Sequence, residues 1–407
     1  MTDTLERGRA RISGFADAEM EYQLLRQMGV ARYGGSAVGE CLALARRIES
    51  GVPASWVAVF VEAARRQQID AERRAARGHG ISARDAYLVA CNSWRAAEYY
   101  TSIADPEHAK YGLASRACFI AAMRYSEYSC EIVELPFGDT PLPAFYLCPR
   151  KLSGPSKTLM IISGYDGTLE ETFLAYGRAA LERGYRVFLF AGPGQMDTMR
   201  FHPALHFSPD FERVGTVAVD YLLSRGETDP ARIALMGISF GGYFATRIAA
   251  HEARISALIP NSPILDLHAY MVSFAGFDPA ELPDADNFSV ADIDHISDEL
   301  MPTQTREMAR NLMLRMGQPS FKHTYQYLCE FQVDDASLAR IRCAVLALIG
   351  SSEGSEPMAQ YEQFLAQVAG AEGHVFSEKE GADGHCQSGN LAYSAAVSMD
   401  WLDERFS

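Results

Sequence analysis

Basic residues are in deficit: 37 Lys and Arg stand against 52 Asp and Glu, a formal net charge of -15. That balance argues against nucleic acid or an anionic membrane surface as a partner. No apolar run approaches the roughly 20 residues that a membrane-spanning helix requires. The eight cysteines (Cys41, Cys91, Cys118, Cys130, Cys148, Cys329, Cys343 and Cys386) include no Cys-x-x-Cys pair, so reduced, buried thiols are expected rather than disulfides or a zinc site. Clustered ligand spacing for a metal is missing, and no Gly-x-Gly-x-x-Gly opens a helix, so no cofactor is expected. Internal repeats and low-complexity tracts are missing too. Met1 to Arg7 lacks the basic-then-apolar pattern of a secretory signal, and the chain reads as cytoplasmic.

What is present is an ordinary globular balance, 48% hydrophobic and 22% charged over 407 residues, enough for one large domain with additions or for two. Residues 1–127 carry helical patterning, with apolar positions at helical spacing in Glu40–Glu49, Trp56–Arg66 and Ala86–Thr101. Ile103 to Pro106 then breaks the pattern. From residue 128 the period changes. Cys130–Phe137 and Leu142–Cys148 read as an antiparallel pair around a Gly-Asp-Thr-Pro turn.

Strands then alternate with helices to the end of the chain: strands at Thr158–Ile162, Arg186–Ala191, Arg232–Met236, Ala257–Pro260, Ala344–Ile349 and His374–Ser377. Helices are expected at Glu171–Arg183, Asp210–Ser224, Gly242–Ala250 and Met358–Ala369, with a last one ending near Asp403. Such alternation predicts a mostly parallel mixed sheet with helices on both faces. Residues 267–335 interrupt it at a length no ordinary connection needs, and read as a helical lid inserted into a catalytic domain spanning 128–407.

Gly237-Ile238-Ser239-Phe240-Gly241 lies where one of these strands meets its helix. A Gly-x-Ser-x-Gly at that junction is a nucleophile elbow, whose flanking glycines avoid collisions in a very tight turn. The five-residue pattern alone is common by chance, so its surroundings carry the reading. A serine hydroxyl needs an imidazole to take its proton, and the imidazole needs an acid to orient it.

His385, in the small-residue loop Gly381-Ala382-Asp383-Gly384-His385, follows the last strand and is the expected base. Glu353, three residues past Gly350 at the end of the preceding strand, is the expected acid. Glu356 is its neighbour and Asp266 its rival, one strand earlier. The amides of Phe240 and of Tyr165, in Ser163-Gly164-Tyr165-Asp166-Gly167, are the expected oxyanion donors. Asp166, Asp266 and Tyr243 are candidate substrate-binding residues.

Several stretches fall in one order: Gly164 to Glu171, Ala191-Gly192-Pro193-Gly194-Gln195, Ser208 to Glu212, the elbow, and Gly384-His385-Cys386-Gln387. With the helical N-terminal region they resemble the α/β-hydrolase family that includes 2,6-dihydropseudooxynicotine hydrolase, fungal polyketide-shortening hydrolases and fermentation-respiration switch esterases. The resemblance covers the chain from about Ile81 onward. It implies an α/β-hydrolase fold, a serine triad, a pocket between core and helical segments, and frequent homodimers.

The resemblance also implies a small-molecule substrate cleaved beside a carbonyl, at an ester or at a carbon–carbon bond. This chain departs from the family pattern at Ala191, where an acid is common, at Met196, where glycine is common, and in using Glu353 where aspartate is commoner. The same parts would serve a cyclase or acyltransferase. A non-catalytic binding protein is the alternative of another class.

Overall fold

The computed structural model describes residues 14–297 and 299–407. Among the described residues five α-helices precede the first strand: α1 (Ala18–Gly29), α2 (Val38–Ala45), α3 (Pro53–Ala76), α4 (Gly80–Tyr100) and α5 (Pro106–Met123). α1 and α5 were not expected. The break read at Ile103 to Pro106 separates α4 from α5. Asp105 caps the new helix by accepting from the Glu107 amide at 2.8 Å, and Pro106 fills a first-turn position that needs no N–H donor.

Beyond them lies a sheet of eight strands among the described residues: β1 (Tyr128–Phe137), β2 (Thr140–Pro149), β3 (Ser156–Ile162), β4 (Arg186–Phe190), β5 (Thr228–Ile238), β6 (Ala257–Asn261), β7 (Ala344–Gly350) and β8 (Glu372–Phe376). Their order is β1-β2-β4-β3-β5-β6-β7-β8. The hairpin β1–β2 joins the sheet antiparallel to β4, and the pairings from β4 through β8 are parallel. The connections carry α6 (Leu169–Thr172), which runs through a π-turn at Phe173–Gly177 into α7 (Arg178–Glu182), then α8 (Met196–Met199), α9 (Glu212–Ser224) and α10 (Gly241–His251).

Between β6 and β7 stand α11 (Leu267–Ala275), α12 (Thr303–Met316), α13 (Phe321–Leu328) and α14 (Asp335–Leu338). The chain closes with α15 (Ser355–Gln367) and α16 (Leu391–Arg405).

Alternation along the central strands divides the core in two. Phe145, Leu147, Leu159, Ile161, Val187 and Leu189 face the N-terminal helices and α16. Tyr146, Met160, Ile162, Phe188 and Phe190 face α9, α10 and the segment between β6 and β7. Successive strand residues point to opposite faces, so both faces must be apolar where both are covered.

Charge, too, is buried where the N-terminal helices meet the sheet. Arg200, just past α8, bonds Glu98 of α4 at 2.7 and 2.6 Å, Asp197 at 2.8 Å and Glu170 at 3.2 Å, and all four side chains are fully enclosed. Arg116 of α5 reaches Glu170 at 4.0 Å. Three carboxylates thus share two guanidinium groups. Burial pushes the Asp197 carboxyl up to about 7, against the pull of Arg200, and a proton there relieves the excess negative charge.

Removing one partner from such a cluster strands a charge out of water. Gly112 of α5 sits directly on it. A Cβ there would lie 2.0 Å from Glu98 Oε1 and 2.2 Å from Arg200 Nε. Gly112→Ala is therefore expected to lower unfolding free energy by about 3 kcal/mol, read from urea or thermal denaturation. A variant as stable as the parent would show that the cluster tolerates displacement.

Candidate active site

β5 runs into α10 through a turn in which Ser239 takes a φ of 61°, the left-handed region that side chains disfavour. Close packing imposes the turn. A Cβ on Gly237 would lie 1.9 Å from Gly241 O and 2.6 Å from the Ala245 Cβ, and one on Gly241 would lie 2.6 Å from Ile162 O. The Ser239 amide donates to Asn261 O at 2.6 Å, and its carbonyl accepts from the Gly242 amide at 2.7 Å. With both backbone groups held, the side chain projects from the carboxyl end of the central strands.

There it meets His385, whose Nε2 lies 2.8 Å from Ser239 Oγ. The other ring nitrogen, Nδ1, lies 2.7 Å from Glu353 Oε2. The Glu353 carboxylate is enclosed, and it also accepts from the Gly350 amide at 2.9 Å and from Ser262 Oγ at 3.3 Å. Enclosed and approached by these donors, the carboxylate is placed to accept from an Nδ1–H. Burial alone drives the imidazolium pKa down. The ionisable Cys386, Tyr270 and Glu353 around the ring outweigh it and hold His385 well above its usual range.

The other acids lie elsewhere. Asp266 caps α11 by accepting from the Ala269 amide at 2.9 Å and takes a 3.3 Å bond from Gln332. Glu356 sits in the first turn of α15 and accepts from Gln360 at 2.8 Å. Tyr243 is wholly buried beneath the turn, its hydroxyl donating to Pro209 O at 2.9 Å. It packs the elbow and does not line an open pocket.

Loop 163–168 passes beside the turn. A Cβ on Gly164 would lie 2.7 Å from both the Phe240 amide nitrogen and the Ser239 Cβ. Among the described residues neither the Phe240 nor the Tyr165 amide donates to a protein acceptor. The loop's carbonyls are occupied instead. Gln195 Nε2 donates to Ser163 O at 2.6 Å and to Gly164 O at 3.1 Å. Arg315 of α12 donates to Tyr165 O.

Asp166 is paired with Arg26 of α1 at 3.0 Å. The same guanidinium grips Glu171 at 2.6 and 2.5 Å. Burial would raise the Glu171 carboxyl, but Arg26 and Arg95 overcome it and hold it below the usual carboxylate range. Also from α1, the Tyr22 hydroxyl donates to His385 O at 3.1 Å and shares a 3.0 Å bond with Ser388. α1 therefore touches both the histidine loop and loop 163–168.

These supporting residues were not assigned roles from the sequence. The signal for α1 was legible: Asp17 as a cap, followed by Met20, Leu24 and Met28 at four-residue spacing. Gln195 lay inside a stretch singled out for other reasons. Arg315 had no local signal, because its partners are more than a hundred residues away.

The chain is similar to known hydrolases in sequence and in fold. The Prolyl oligopeptidase family model matches residues 215–318. The alpha/beta hydrolase xenA of Xenoacremonium sinensis is 28% identical over 95% of this chain and 96% of its own length. The 20-hydroxy-prefusarin hydrolase FUS2 of Gibberella moniliformis is 34% identical over 62% of each chain. Among solved structures, the 2,6-dihydroxy-pseudo-oxynicotine hydrolase superposes with a TM-score of 0.72 at 20% identity, over 93% of this chain and 95% of its own.

The fold is that of the α/β hydrolases. The chain is an enzyme of that class, a hydrolase similar to the fungal hydrolases just named. Among the described residues no helix is long and apolar enough to cross a membrane.

Because the fold favours the imidazolium of His385, its stabilising contribution is complete below about pH 6.5, the usual histidine value. It is lost as pH rises through the elevated native value. Histidine-resolved NMR should show this ring titrating above 6.5, and Glu353→Gln should move its midpoint down. An unchanged midpoint in that variant would mean that Glu353 does not govern the ring's charge.

Proposed function

We propose that this hydrolase acts through a serine acyl-enzyme on a small molecule, cleaving a bond beside a carbonyl. The observation that carries the reading is the unbroken line of two short hydrogen bonds, Ser239 Oγ to His385 Nε2 at 2.8 Å and His385 Nδ1 to Glu353 at 2.7 Å, at a strained strand-to-helix turn. With the ring neutral, the form populated as pH rises through the elevated His385 value, Ser239 Oγ attacks the carbonyl carbon as its proton passes to Nε2. Glu353 accepts from Nδ1–H, holding the tautomer that leaves Nε2 free and favouring the imidazolium that forms. The Phe240 and Tyr165 amides receive the negative oxygen of the tetrahedral species.

His385 then returns its proton to the departing group as the bond to carbon breaks. Water, deprotonated by the same imidazole, releases the acid and restores Ser239. An alcohol leaving group makes the reaction ester hydrolysis. A carbon leaving group is competent where a second carbonyl turns it into an enolate, which the same imidazolium protonates. The relative named for 20-hydroxy-prefusarin supports a small organic substrate of this kind. Residues 267–335, whose Tyr270 bears on the charge of His385, act as the lid.

Two measurements test the reading. A fluorophosphonate should label the wild-type protein at Ser239, seen by mass spectrometry of peptides, and Ser239→Ala should lower kcat/KM by at least about 10⁴-fold. Labelling elsewhere, or none, would rule out Ser239 as the nucleophile. Product analysis with paired ester and β-diketone substrates separates the two bond types. Turnover of the ester alone would remove the carbon–carbon reading for those compounds.

A further inference from the structure

The oxyanion-binding loop is held from outside its own domain core. Arg315 lies in the last turn of α12, inside the segment proposed as lid, and its guanidinium is enclosed, with the residue 2% exposed. It makes no ion pair among the described residues. Instead Nε donates to Gly194 O at 2.9 Å, Nη2 donates to the same oxygen at 2.5 Å, and Nη2 also donates to Tyr165 O. The guanidinium plane covers the Tyr165 ring, 4.0 Å from its centroid, and lies 5.0 Å from that of Phe207.

The backbone of the same residue is engaged as well: the Phe207 amide donates to Arg315 O at 3.0 Å. Burying a cation against carbonyls and rings, with Asp166 and Glu98 acting on it only from beyond ion-pair distance, costs several kcal/mol in desolvation. Burial accordingly draws the Arg315 pKa down.

The two carbonyls it binds matter to the chemistry. Gly194 O belongs to the turn whose Gln195 side chain holds Ser163 O and Gly164 O. Tyr165 O belongs to the residue whose amide is the proposed oxyanion donor. Arg315 and Gln195 together restrain the carbonyls of Ser163, Gly164 and Tyr165. Each peptide is planar, so fixing the Gly164 carbonyl orients the Tyr165 N–H on the same plane. Fixing the Tyr165 carbonyl removes the remaining freedom of that residue. A planar guanidinium suits the task because it presents donors along two edges in fixed geometry.

We infer that Arg315 is a positioning residue for the oxyanion-binding amide of Tyr165, so that completion of the hole depends on α12 being docked. The inference rests on the serine acyl-enzyme reading above. Arg315 touches no reacting atom. It acts on the tetrahedral species more than on bound substrate, since the amide it aims is needed only as negative charge develops.

The test compares wild type, Arg315→Lys, Arg315→Gly and Arg310→Gln on an activated ester, with an alkylboronic acid as transition-state mimic. Arg310→Gln removes an α12 arginine whose carboxylate partners, Asp294 and Glu307, lie outside the site. Arg315→Gly is expected to lose roughly 10²-fold in kcat, the scale of one misaimed oxyanion donor, with KM within about twofold. Boronic acid affinity should fall in parallel, and added guanidinium should restore part of kcat. Arg315→Lys, which keeps the charge without the two-edged geometry, should fall between, and Arg310→Gln should match wild type.

Should Arg315→Gly not fold, the lysine variant still decides the matter through kcat against KM. Unchanged kcat and boronic acid affinity in a folded Arg315 variant would overturn the inference. So would an equal loss in Arg310→Gln, which would point to the insertion's shape alone. Failure of the underlying reading is separate, since wild type itself would then take no fluorophosphonate at Ser239.

Discussion

Ser239 is held at a positive φ of 61°, and most of the neighbouring sequence follows from keeping it there. A side-chain-bearing residue in that region costs roughly 1–3 kcal/mol, so surrounding structure must over-determine it. Here two backbone hydrogen bonds, to Asn261 O and from Gly242, leave the turn no alternative. The absence of a Cβ at Gly237 and Gly241 lets strand and helix close to within van der Waals contact. Relaxing any of these would let the hydroxyl swing away from His385, and the 2.8 Å contact is the quantity they jointly protect.

The same constraint explains why a separate helical layer belongs to the site. A loop that curves back over a strand edge, as that of His385 does, has few backbone partners of its own. Tyr22 supplies one to the His385 carbonyl, and Asn261 and Ser394 hold the adjoining Gln387 at 2.8 and 3.0 Å. Arg26, on the next turn of α1, grips Glu171 and Asp166 across loop 163–168. These contacts, together with the enclosed Arg200 cluster, add buried charge to the apolar interface between the N-terminal helices and the sheet. Buried ion pairs contribute little net stability against hydrophobic replacements, but they penalise wrong alignments severely. An interface that must set loop positions to fractions of an ångström is a natural place for them.

Sequence patterning made the sheet legible, because buried parallel strands are short apolar runs bounded by turn residues. Its eight strands each correspond to a run read in the sequence, such as Thr158–Ile162 and Ala344–Ile349, whose observed bounds differ by a residue or two. Ser239, Glu353 and His385 could be picked out because the fold assigns them to the ends of particular strands. The structure brings these three together and leaves Asp266 on a helix cap. Tyr243 was misleading for a simple reason: next to the elbow in sequence, it points into the core, since a helix beginning at Gly241 turns that position inward. Arg26, Arg200 and Arg315 were not legible at all. An arginine on a helix reads as solvated, and only the three-dimensional partners, 102 to 150 residues distant in the longest cases, reveal it as enclosed.

That illegible set has a common pattern. Loop 163–168 is gripped by Arg26 from the N-terminal helices, by Gln195 from the neighbouring turn, and by Arg315 from the segment between β6 and β7. Three elements distant in sequence thus converge on one short loop, while the elbow beneath it is fixed by backbone bonds to the adjacent strand and within its own turn. The difference follows from chemistry. A nucleophile needs one torsion held, which neighbouring glycines can do. On the proposed mechanism, an amide that must meet charge appearing only in passing needs its whole peptide plane held without spending its own N–H. Restraint can reach that plane only through the carbonyls and the side chains around it, and those partners have to come from elsewhere in the fold.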